Sequence, residues 1–251
     1  MLRCENSDVS KGVAAQSNSG PFIVQQLNPP LFRGLAKAEI DLVLATAALR
    51  KCSRGALLSI EGEPANQFFM LLSGRARYFT LTEDGRRVIL RWLLPTEVFG
   101  SMALMYDADR YLVSTELVRD AEVLVWSRAD IRRLIVRFPR LLENALLTTA
   151  DYMRWYITAH LALISHSAPQ RLARVLYRLS KDIGRPVPDG VELDITNEEL
   201  ADAAHITRFS TSRLLSDWQR NGVLTKRRGK IVLASSERLF SLSPQQDAAA
   251  I

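Results

Sequence analysis

The sequence predicts an α+β fold in which an N-terminal jelly-roll-like β-roll, a long dimerisation helix and a C-terminal winged helix-turn-helix follow one another. Three patterns support this prediction. Short β-prone segments alternate with Gly- and Pro-containing turns across residues 55–126. Residues 140–166 then contain neither Gly nor Pro and carry apolar residues at helical spacing. The last third of the chain combines a helix-capping motif with two short helical patterns and a basic hairpin.

The β-roll domain is assigned to residues 21–138, after a polar leader at residues 1–20 that is predicted to be flexible. A short helix is expected just after the Pro29-Pro30 pair. The predicted strands within the roll are residues 67–72, 77–81 and 88–93. Short strands at even spacing, broken by glycine about every dozen residues, are typical of a β-sandwich or roll.

Several classes of protein are excluded by composition. The chain has no run of about 18 apolar residues that could span a membrane, and residues 1–20 lack the apolar core of a secretory signal. Its two cysteines, Cys4 and Cys52, are too few for a disulfide framework and fit a reducing cytoplasm. They are also too few for an iron–sulfur cluster held by four protein thiolates.

The long helix is assigned to residues 139–166 and is predicted to pair with a second copy of the chain. Seven residues recur with alternating spacings of four and three, which makes a heptad seam. A helix packed only on its own domain is the alternative, but a narrow stripe lasting three heptads favours self-pairing. The seam residues are Leu142, Leu146, Thr149, Met153, Tyr156, His160 and Leu163.

The winged helix-turn-helix domain is assigned to residues 167–251, and it opens with a break at Ser167-Ala168-Pro169, a helix at 171–181, a loop at 184–190 and a strand at 191–195. Thr196 and Glu199 then form a capping box that starts the next helix. Ala201 supplies the small side chain that two closely crossing helices need. A break at 205–207 precedes a second helix, whose Thr211 and Leu214 should face the first.

The second helix is predicted to contact DNA bases. Thr207 is a natural N-cap, and Arg208, Phe209, Ser212 and Arg213 share one face by their spacing. Arginine can donate two hydrogen bonds to guanine, and phenylalanine can contact a thymine methyl group. A solvated helix face is the alternative, which is disfavoured because only Asp217 offers an acidic partner within one turn. Leu215 and Trp218 are expected to point into the core.

A basic hairpin follows this helix and is predicted to contact phosphates. Asn221-Gly222 should end the helix, and two apolar segments, 223–225 and 231–233, flank a basic turn. Residues 205–233 hold seven basic side chains and one acidic one, a balance that equals the net charge of +6 of the whole chain. A neutral body with one basic patch indicates a polyanionic partner. The predicted hairpin contacts are Lys226, Arg227, Arg228 and Lys230.

Over about residues 28–240 the sequence resembles the Crp/Fnr family of transcription regulators. The resemblance implies a cyclic-nucleotide-binding-like roll and a homodimer on a near-palindromic operator in double-stranded DNA. It also implies contact with RNA polymerase and a cytoplasmic location. The expected protein is not an enzyme and holds no metal or cofactor. The motifs that carry it are Pro30-Leu31-Phe32, Gly34-Leu35, Glu61-Gly62-Glu63-Pro64-Ala65, Leu72-Ser73-Gly74, residues 98–104, Arg171-Leu172-Ala173, residues 195–201 and Gly229-Lys230-Ile231.

The effector pocket that the family would imply departs from the cyclic-AMP pattern. Cyclic-AMP-binding members have a Glu after Phe-Gly, where Ser101 stands here, and an Arg-Ser pair near Arg110-Tyr111-Leu112. Their Thr-Ser pair on the long helix corresponds to Tyr156-Ile157. An unpaired anion in a desolvated pocket is costly, so we expect no cyclic AMP binding in the usual manner. A shift of the loop by one residue would let Arg110 restore the phosphate contact. The expected pocket residues are Gly100, Ser101, Met102, Ala103, Arg110, Tyr111 and Tyr156.

Two further departures concern the DNA-binding half. His205 replaces the family's usual Gly at a turn where a positive φ is expected, and His tolerates that conformation at some cost. An acidic residue stands at the position of Phe209 in cyclic-AMP-type members, so its loss predicts an altered operator.

Alternative functions remain open at this point. The regulator could act without an effector, or it could bind a small molecule whose identity the sequence does not give. A metalloenzyme built on the β-roll is disfavoured, because residues 55–126 contain no His. A haem sensor is disfavoured for the same reason, since only Cys52 is available there, and we expect Cys52 to be a small buried residue.

Overall fold

The computed structural model describes residues 27–85, 87–107, 110–227, 229–235 and 238–241. The chain divides into two compact units, one ending at Arg154 and the other beginning at Trp155. The predicted leader and Arg228 lie outside the described residues, and the boundary predicted near residue 167 stays a prediction. Within the described part of the chain, no helix is both long and apolar enough to cross a membrane.

The first unit confirms the predicted β-roll and its three predicted strands. The elements are a 3-10 turn at Pro30–Phe32, α1 (Lys37–Ala45), β1 (Ala48–Cys52), β2 (Leu57–Ser59), β3 (Gln67–Leu71), β4 (Ala76–Leu81), β5 (Arg87–Leu93), β6 (Val98–Phe99), a 3-10 turn at Ser101–Leu104, β7 (Ser114–Leu117), β8 (Ala121–Ser127), α2 (Arg128–Arg137) and α3 (Pro139–Ser165). The strands form two four-stranded antiparallel sheets, with strand orders β1-β8-β3-β6 and β2-β7-β4-β5.

Strand β3 supplies both cores of this unit, because successive side chains of a strand point to opposite faces. Phe68 and Met70 belong to the core shared with α1 and α2, whereas Phe69 and Leu71 belong to the core inside the roll. All four side chains are fully buried. Cys52 is buried in the second core, as expected. The sequence analysis missed α2, although the Oγ of Ser127 caps it by accepting from the backbone N–H of Asp130.

Helix α3 is continuous over 27 residues, a length of about 40 Å, and it confirms the predicted helix to within one residue. Its first turns are anchored on the roll unit. Leu141 is buried, and the side-chain amide of Asn144 donates to the carbonyl oxygens of Leu31 and Arg33 at 2.8 and 2.9 Å. An amide buried with two acceptors holds the first turns of the helix against this unit.

The second unit confirms the predicted winged helix-turn-helix. Its elements are α4 (Ala168–Asp182), β9 (Arg185–Val187), β10 (Gly190–Asp194), α5 (Asn197–Ala204), α6 (Arg208–Arg220), β11 (Leu224–Arg227), β12 (Lys230–Leu233) and α7 (Arg238–Ser241). The sheet has the order β11-β12-β10-β9, and β11 with β12 forms the predicted hairpin. The predicted loop at 184–190 is partly wrong, because it contains β9. This is an edge strand, so Pro186 can lie in it although proline has no backbone N–H to donate.

Candidate functional site

The first helix of the helix-turn-helix, α5, is set by the predicted capping box. The backbone N–H of Thr196 donates to Glu199 Oε2 at 2.8 Å, and the backbone N–H of Glu199 donates to Thr196 Oγ1 at 3.2 Å. Ala201 is buried on the inner face, and Thr211 of α6 is completely buried. Leu215 and Trp218 are buried as predicted, while Leu214 is half-buried.

The turn between the two helices is held by His205 and Arg171. His205 has φ 50° and ψ 50°, the left-handed conformation that the sequence predicted. The Arg171 guanidinium donates to the carbonyl oxygens of Ala204 at 3.0 Å and His205 at 3.3 Å, and to that of His166 at 2.8 Å. These carbonyls end helices α5 and α3, where cations and donors are favourable. Arg171, noticed in the sequence only as part of a family motif, therefore fixes the turn.

Burial lowers the pKa of His205, and the charge of Arg171 lowers it further, while Asp202 opposes the shift. The unfolded chain then takes up a proton at a higher pH than the folded protein does. Stability is therefore full above the ordinary His pKa of about 6.5 and decreases as the pH falls from there towards the lowered pKa.

Substituting His205→Asn should weaken this acid sensitivity while preserving the turn, because Asn also tolerates left-handed backbone. Melting temperatures of both proteins measured from pH 8 to pH 5 check this. The difference between them should be small at pH 8 and should shift in favour of the variant as the pH falls. His166, whose pKa burial also lowers, supplies acid sensitivity that remains in the variant. Identical pH profiles for the two proteins would contradict the role assigned to His205.

Helix α6 presents the predicted contact face to solvent. Thr207 caps the helix by accepting from the backbone N–H of Ser210 at 3.0 Å. Phe209 is 78% exposed, an uncommon state for a large apolar side chain. The buried residues of α6 lie on the opposite side, so the exposed set forms one continuous surface. That set is Arg208, Phe209, Ser212 and Arg213.

Arg208 has an acidic partner that the sequence analysis did not find. Its guanidinium forms an ion pair with Glu198 of α5, and both side chains are largely exposed. The search along α6 missed this acid because the contact crosses from one helix to the next. An exposed pair of this kind contributes about 0–1 kcal/mol, so a DNA phosphate or base can displace it.

The wing also carries an acidic residue that the sequence analysis missed. Glu192 of β10 accepts from Lys230 at 2.7 Å and lies 3.9 Å from the guanidinium of Arg227. The hydrogen bond from Lys230 lowers the pKa of Glu192, which keeps it charged. Lys226 donates to Ser216 Oγ at 2.9 Å. Glu192 thus partly neutralises the wing. Its signal in the sequence was its place on a strand next to β12.

The loop predicted to form an effector pocket is tightly constrained. Gly100 has φ 77°, and a Cβ there would lie 2.8 Å from the carbonyl oxygen of Gln67, so only glycine fits. Ala103 is completely buried, while Ser101 and Met102 are half-buried. None of the loop residues from Gly100 to Leu104 is acidic.

Tyr111, which the sequence analysis assigned to the effector pocket, is held by the backbone of Gln67. It is buried in the core inside the roll, donates to the carbonyl oxygen of Gln67 at 2.9 Å and accepts from the backbone N–H of Gln67 at 3.0 Å. Burial raises the pKa of Tyr111, so the phenol stays neutral. Arg110 is exposed, and its guanidinium donates to the carbonyl oxygen of Gly62 at 2.6 Å.

Helix α3 contacts the roll through Tyr152, a residue that the sequence analysis missed. Its hydroxyl donates to the carbonyl oxygen of Val98 at 2.7 Å, and the Arg91 guanidinium lies 4.0 Å from its ring centroid. Arg91 is buried and forms an ion pair with Glu97. Tyr156 belongs to the second unit, where its ring meets that of Trp155 edge to face. The signal for Tyr152 was its place one turn before Tyr156.

The predicted seam is exposed over most of its length. Met153 is 59% exposed, and Leu146 and Leu163 are exposed as well, whereas Leu142 and Tyr156 are half-buried. After Met153, a second exposed apolar stripe lies one residue further along than the predicted seam. A straight helix drifts relative to a strict heptad, which explains such an offset. The second stripe is Ile157, Leu161 and Ile164.

Comparison with known proteins decides the family. The model of the cyclic nucleotide-binding domain matches residues 49–138, and the model of the Crp-like helix-turn-helix domain matches residues 170–242. Together these matches cover more than half of the chain.

The chain belongs to the Crp/Fnr family of transcription regulators.

Relatives of this Crp/Fnr regulator agree with that assignment. The chain is 29% identical over 210 residues to the anaerobic regulatory protein of Bacillus subtilis, covering 79% of this chain and 85% of the relative. It is 32% identical over 195 residues to the cyclic AMP receptor protein of Thermus thermophilus, covering 78% and 88%. A solved CRP-family regulator from Thermus thermophilus superimposes with a TM-score of 0.66 at 26% identity, covering 76% and 94%.

This Crp/Fnr regulator is therefore a transcription regulator with a DNA-binding helix-turn-helix, and it is not an enzyme. The structure brings the predicted contact residues of α6 onto one exposed face. In the roll, Tyr111 belongs to the core against which Met102 and Tyr152 pack. Arg91, paired with Glu97, lies against the Tyr152 ring. The effector pocket itself stays a prediction.

Proposed function

We propose that this regulator binds a near-palindromic operator as a homodimer, with α6 of each protomer in a major groove and half-sites about 34 Å apart. The observation that carries this proposal is the exposed face that begins at Thr207 and includes Phe209 and Arg213. Arg208 and Arg213 would contact bases, with Phe209 and Ser212 adding apolar and polar contacts. Thr207, Lys226, Arg227, Arg228 and Lys230 would contact phosphates. Such a protein works in the cytoplasm, on chromosomal DNA.

Dimerisation through α3 is part of the same proposal. The predicted seam exposes one methionine and two leucines on this 27-residue helix, and such side chains need an apolar partner. A second copy of the same helix offers one, and twofold symmetry would match the two half-sites of a palindrome. Contact with RNA polymerase is proposed from the family alone.

Selection from a random DNA library tests this proposal. We expect the purified full chain to enrich a palindromic motif, and footprinting should show two protected half-sites about one helical turn apart. Binding that retains no sequence preference against competitor DNA, or protection of a single half-site, would contradict the proposed mode.

We infer further that cyclic AMP does not control this regulator in the usual manner, although one relative carries the name of a cyclic AMP receptor. A cyclic phosphate needs a paired charge in a desolvated pocket. The phenol of Tyr111 stays neutral, and both of its hydrogen bonds go to Gln67. The buried guanidinium of Arg91 is already paired with Glu97.

The link between α3 and the roll supports an effector-independent form of this function. The ring of Tyr152 lies against Arg91, and its hydroxyl donates to the carbonyl oxygen of Val98. Contacts of this kind order α3 on the roll by themselves. Operator binding would then need no nucleotide, and control would come from the amount of protein or from a ligand at another site.

Cyclic AMP should leave the protein's melting temperature and its operator affinity unchanged. A ligand present at about 100 times its Kd stabilises a protein by about 2.7 kcal/mol, which is easily detected in a melting curve. Titration calorimetry and melting curves with cyclic AMP check this expectation, and the cyclic AMP receptor protein of Thermus thermophilus is the positive control. A saturable heat signal with a rise in melting temperature would contradict the inference.

A further inference from the structure

The second unit contains a groove that the proposed function does not use. It lies between the last turns of α3, one face of α4 and the end of α5, and its volume is about 350 Å³. Pockets for small molecules have volumes of about 300–1,000 Å³. The groove is therefore large enough for a ligand of roughly ten to fifteen heavy atoms, and small for a protein segment.

The walls of the groove are mainly apolar. Ala159 and Ala162 of α3 leave the space open because their side chains are short, and Trp155 lies at one side. Leu163 of the predicted seam, Val175 of α4 and Ala203 of α5 add to the apolar wall. An apolar chain or ring would be removed from water there, which favours binding.

The charged groups of the groove are all cationic. Three arginines of α4 line it, and none of the described residues that line it is acidic. Arg171 is used on the carbonyls of the turn, and Arg178 pairs with Asp182 and lies 5.8 Å from the Trp155 ring. Arg174 is exposed and forms no ion pair among the described residues. One cation at the rim of an apolar groove favours a ligand with one negative charge.

We propose that this groove binds a small amphipathic carboxylate, with its apolar part against Trp155 and Ala162 and its carboxylate on Arg174. Arginine binds a carboxylate through two parallel hydrogen bonds, which gives the ligand one orientation. The groove is also lined by His205 at the turn of the helix-turn-helix. A bound ligand therefore touches the turn that positions α6. The consequence for operator binding rests on the proposed function, whereas binding itself does not.

Fluorine NMR of the full chain labelled with 5-fluorotryptophan tests the site, with decanoate as the probe. The chain has four tryptophans, Trp92, Trp126, Trp155 and Trp218, so four resonances are expected, and Trp155→Phe assigns one of them. Decanoate should shift the Trp155 resonance in a saturable manner and leave that of Trp92 in place. Decanol, which has the same chain without the charge, should bind more weakly.

Two variants and one control make the test specific. Arg174→Gln should weaken decanoate binding about tenfold, the loss expected for one charge-assisted hydrogen-bonded contact. Ala162→Phe should abolish the shift by filling the groove. Arg133→Gln, which removes an exposed guanidinium from α2 of the other unit, should change nothing.

Equal shifts with decanoate and decanol, or an unchanged affinity in Arg174→Gln, would overturn the proposal. The proposal would also be overturned if decanoate moves no resonance and Ala162→Phe changes the sedimentation of the dimer, because a second copy of the chain would then cover the groove. Because the NMR signal does not involve DNA, it remains interpretable if operator selection fails. If operator selection fails while decanoate still shifts the Trp155 resonance, the proposed function is contradicted and the groove proposal is not.

Discussion

Replacing Met153 with Glu is expected to convert the proposed dimer into monomers and to lower operator affinity by at least about a hundredfold, the minimum usually gained by joining two binding modules. Met153 is 59% exposed, belongs to the predicted seam and lies one turn before Ile157, the first residue of the second stripe. Burial of such a side chain in a helix pair contributes about 1.5–3 kcal/mol per protomer. A carboxylate at this position would face its symmetry mate, so that repulsion is added to the loss.

Analytical ultracentrifugation and operator titration measure the two consequences separately. Thr158→Glu is the matched control, because Thr158 is exposed on the same helix and shares a heptad position with neither stripe. It should leave the dimer and its operator affinity intact. A monomeric Thr158→Glu protein, or a fully dimeric Met153→Glu protein, would show that α3 pairs through another face or not at all.

A second pair of variants distinguishes the two stripes. The heptad rule places His160 on the predicted seam, and the neighbouring Leu161 belongs to the second stripe. Both side chains are exposed. Supercoiling would keep the strict heptad facing the partner, and a straight helix would favour the later stripe. If the predicted seam is correct, His160→Glu should weaken the dimer more than Leu161→Glu does. The sequence alone could not decide this point, because it does not specify how far α3 supercoils.

The features that the sequence predicted well depend on local chemistry. Thr196 and Glu199 satisfy each other's backbone within one turn. The left-handed turn at His205 was expected from the glycine that the family usually has there. Alternation along β3 divides its side chains between two cores, whatever the rest of the chain does. In each case the residues concerned lie within a few positions of one another.

The features that it missed depend on contacts between distant segments. Tyr152 meets Arg91 across about sixty residues of sequence, and Glu192 meets Lys230 across a sheet. Neither pair shows a periodic pattern, since the topology alone brings the partners together. The sequence analysis therefore missed the negative charge that Glu192 brings to the wing. It also named Tyr156 as the residue of α3 in the effector pocket and missed Tyr152. Local rules locate the binding surface, but they do not give its charge balance.

Substituting Arg213→Ala should weaken binding to the selected operator by about 1–3 kcal/mol and should relax the preference at one base position. Arg213 is exposed in the second turn of α6, on the same face as Phe209, and no acidic partner for it is found among the described residues. Its guanidinium is thus available for a guanine O6 and N7 in the major groove. Discrimination between bases would be lost together with these two hydrogen bonds.

Arg227→Gln is the control that separates base contacts from phosphate contacts. Removing one phosphate contact should weaken binding to operator and random DNA alike, and it should reduce the salt slope, with each contact contributing about 0.9 to that slope. Because Glu192 lies 3.9 Å from Arg227 and is also bonded to Lys230, the loss should be smaller than for an unpaired cation. Arg213→Ala should leave non-specific binding nearly unchanged. Titrations on operator and random DNA at several salt concentrations measure both effects. An equal loss on both DNAs for Arg213→Ala would place Arg213 on the phosphate backbone. Arg208 would then be the remaining arginine of the predicted contact face that could contact a base.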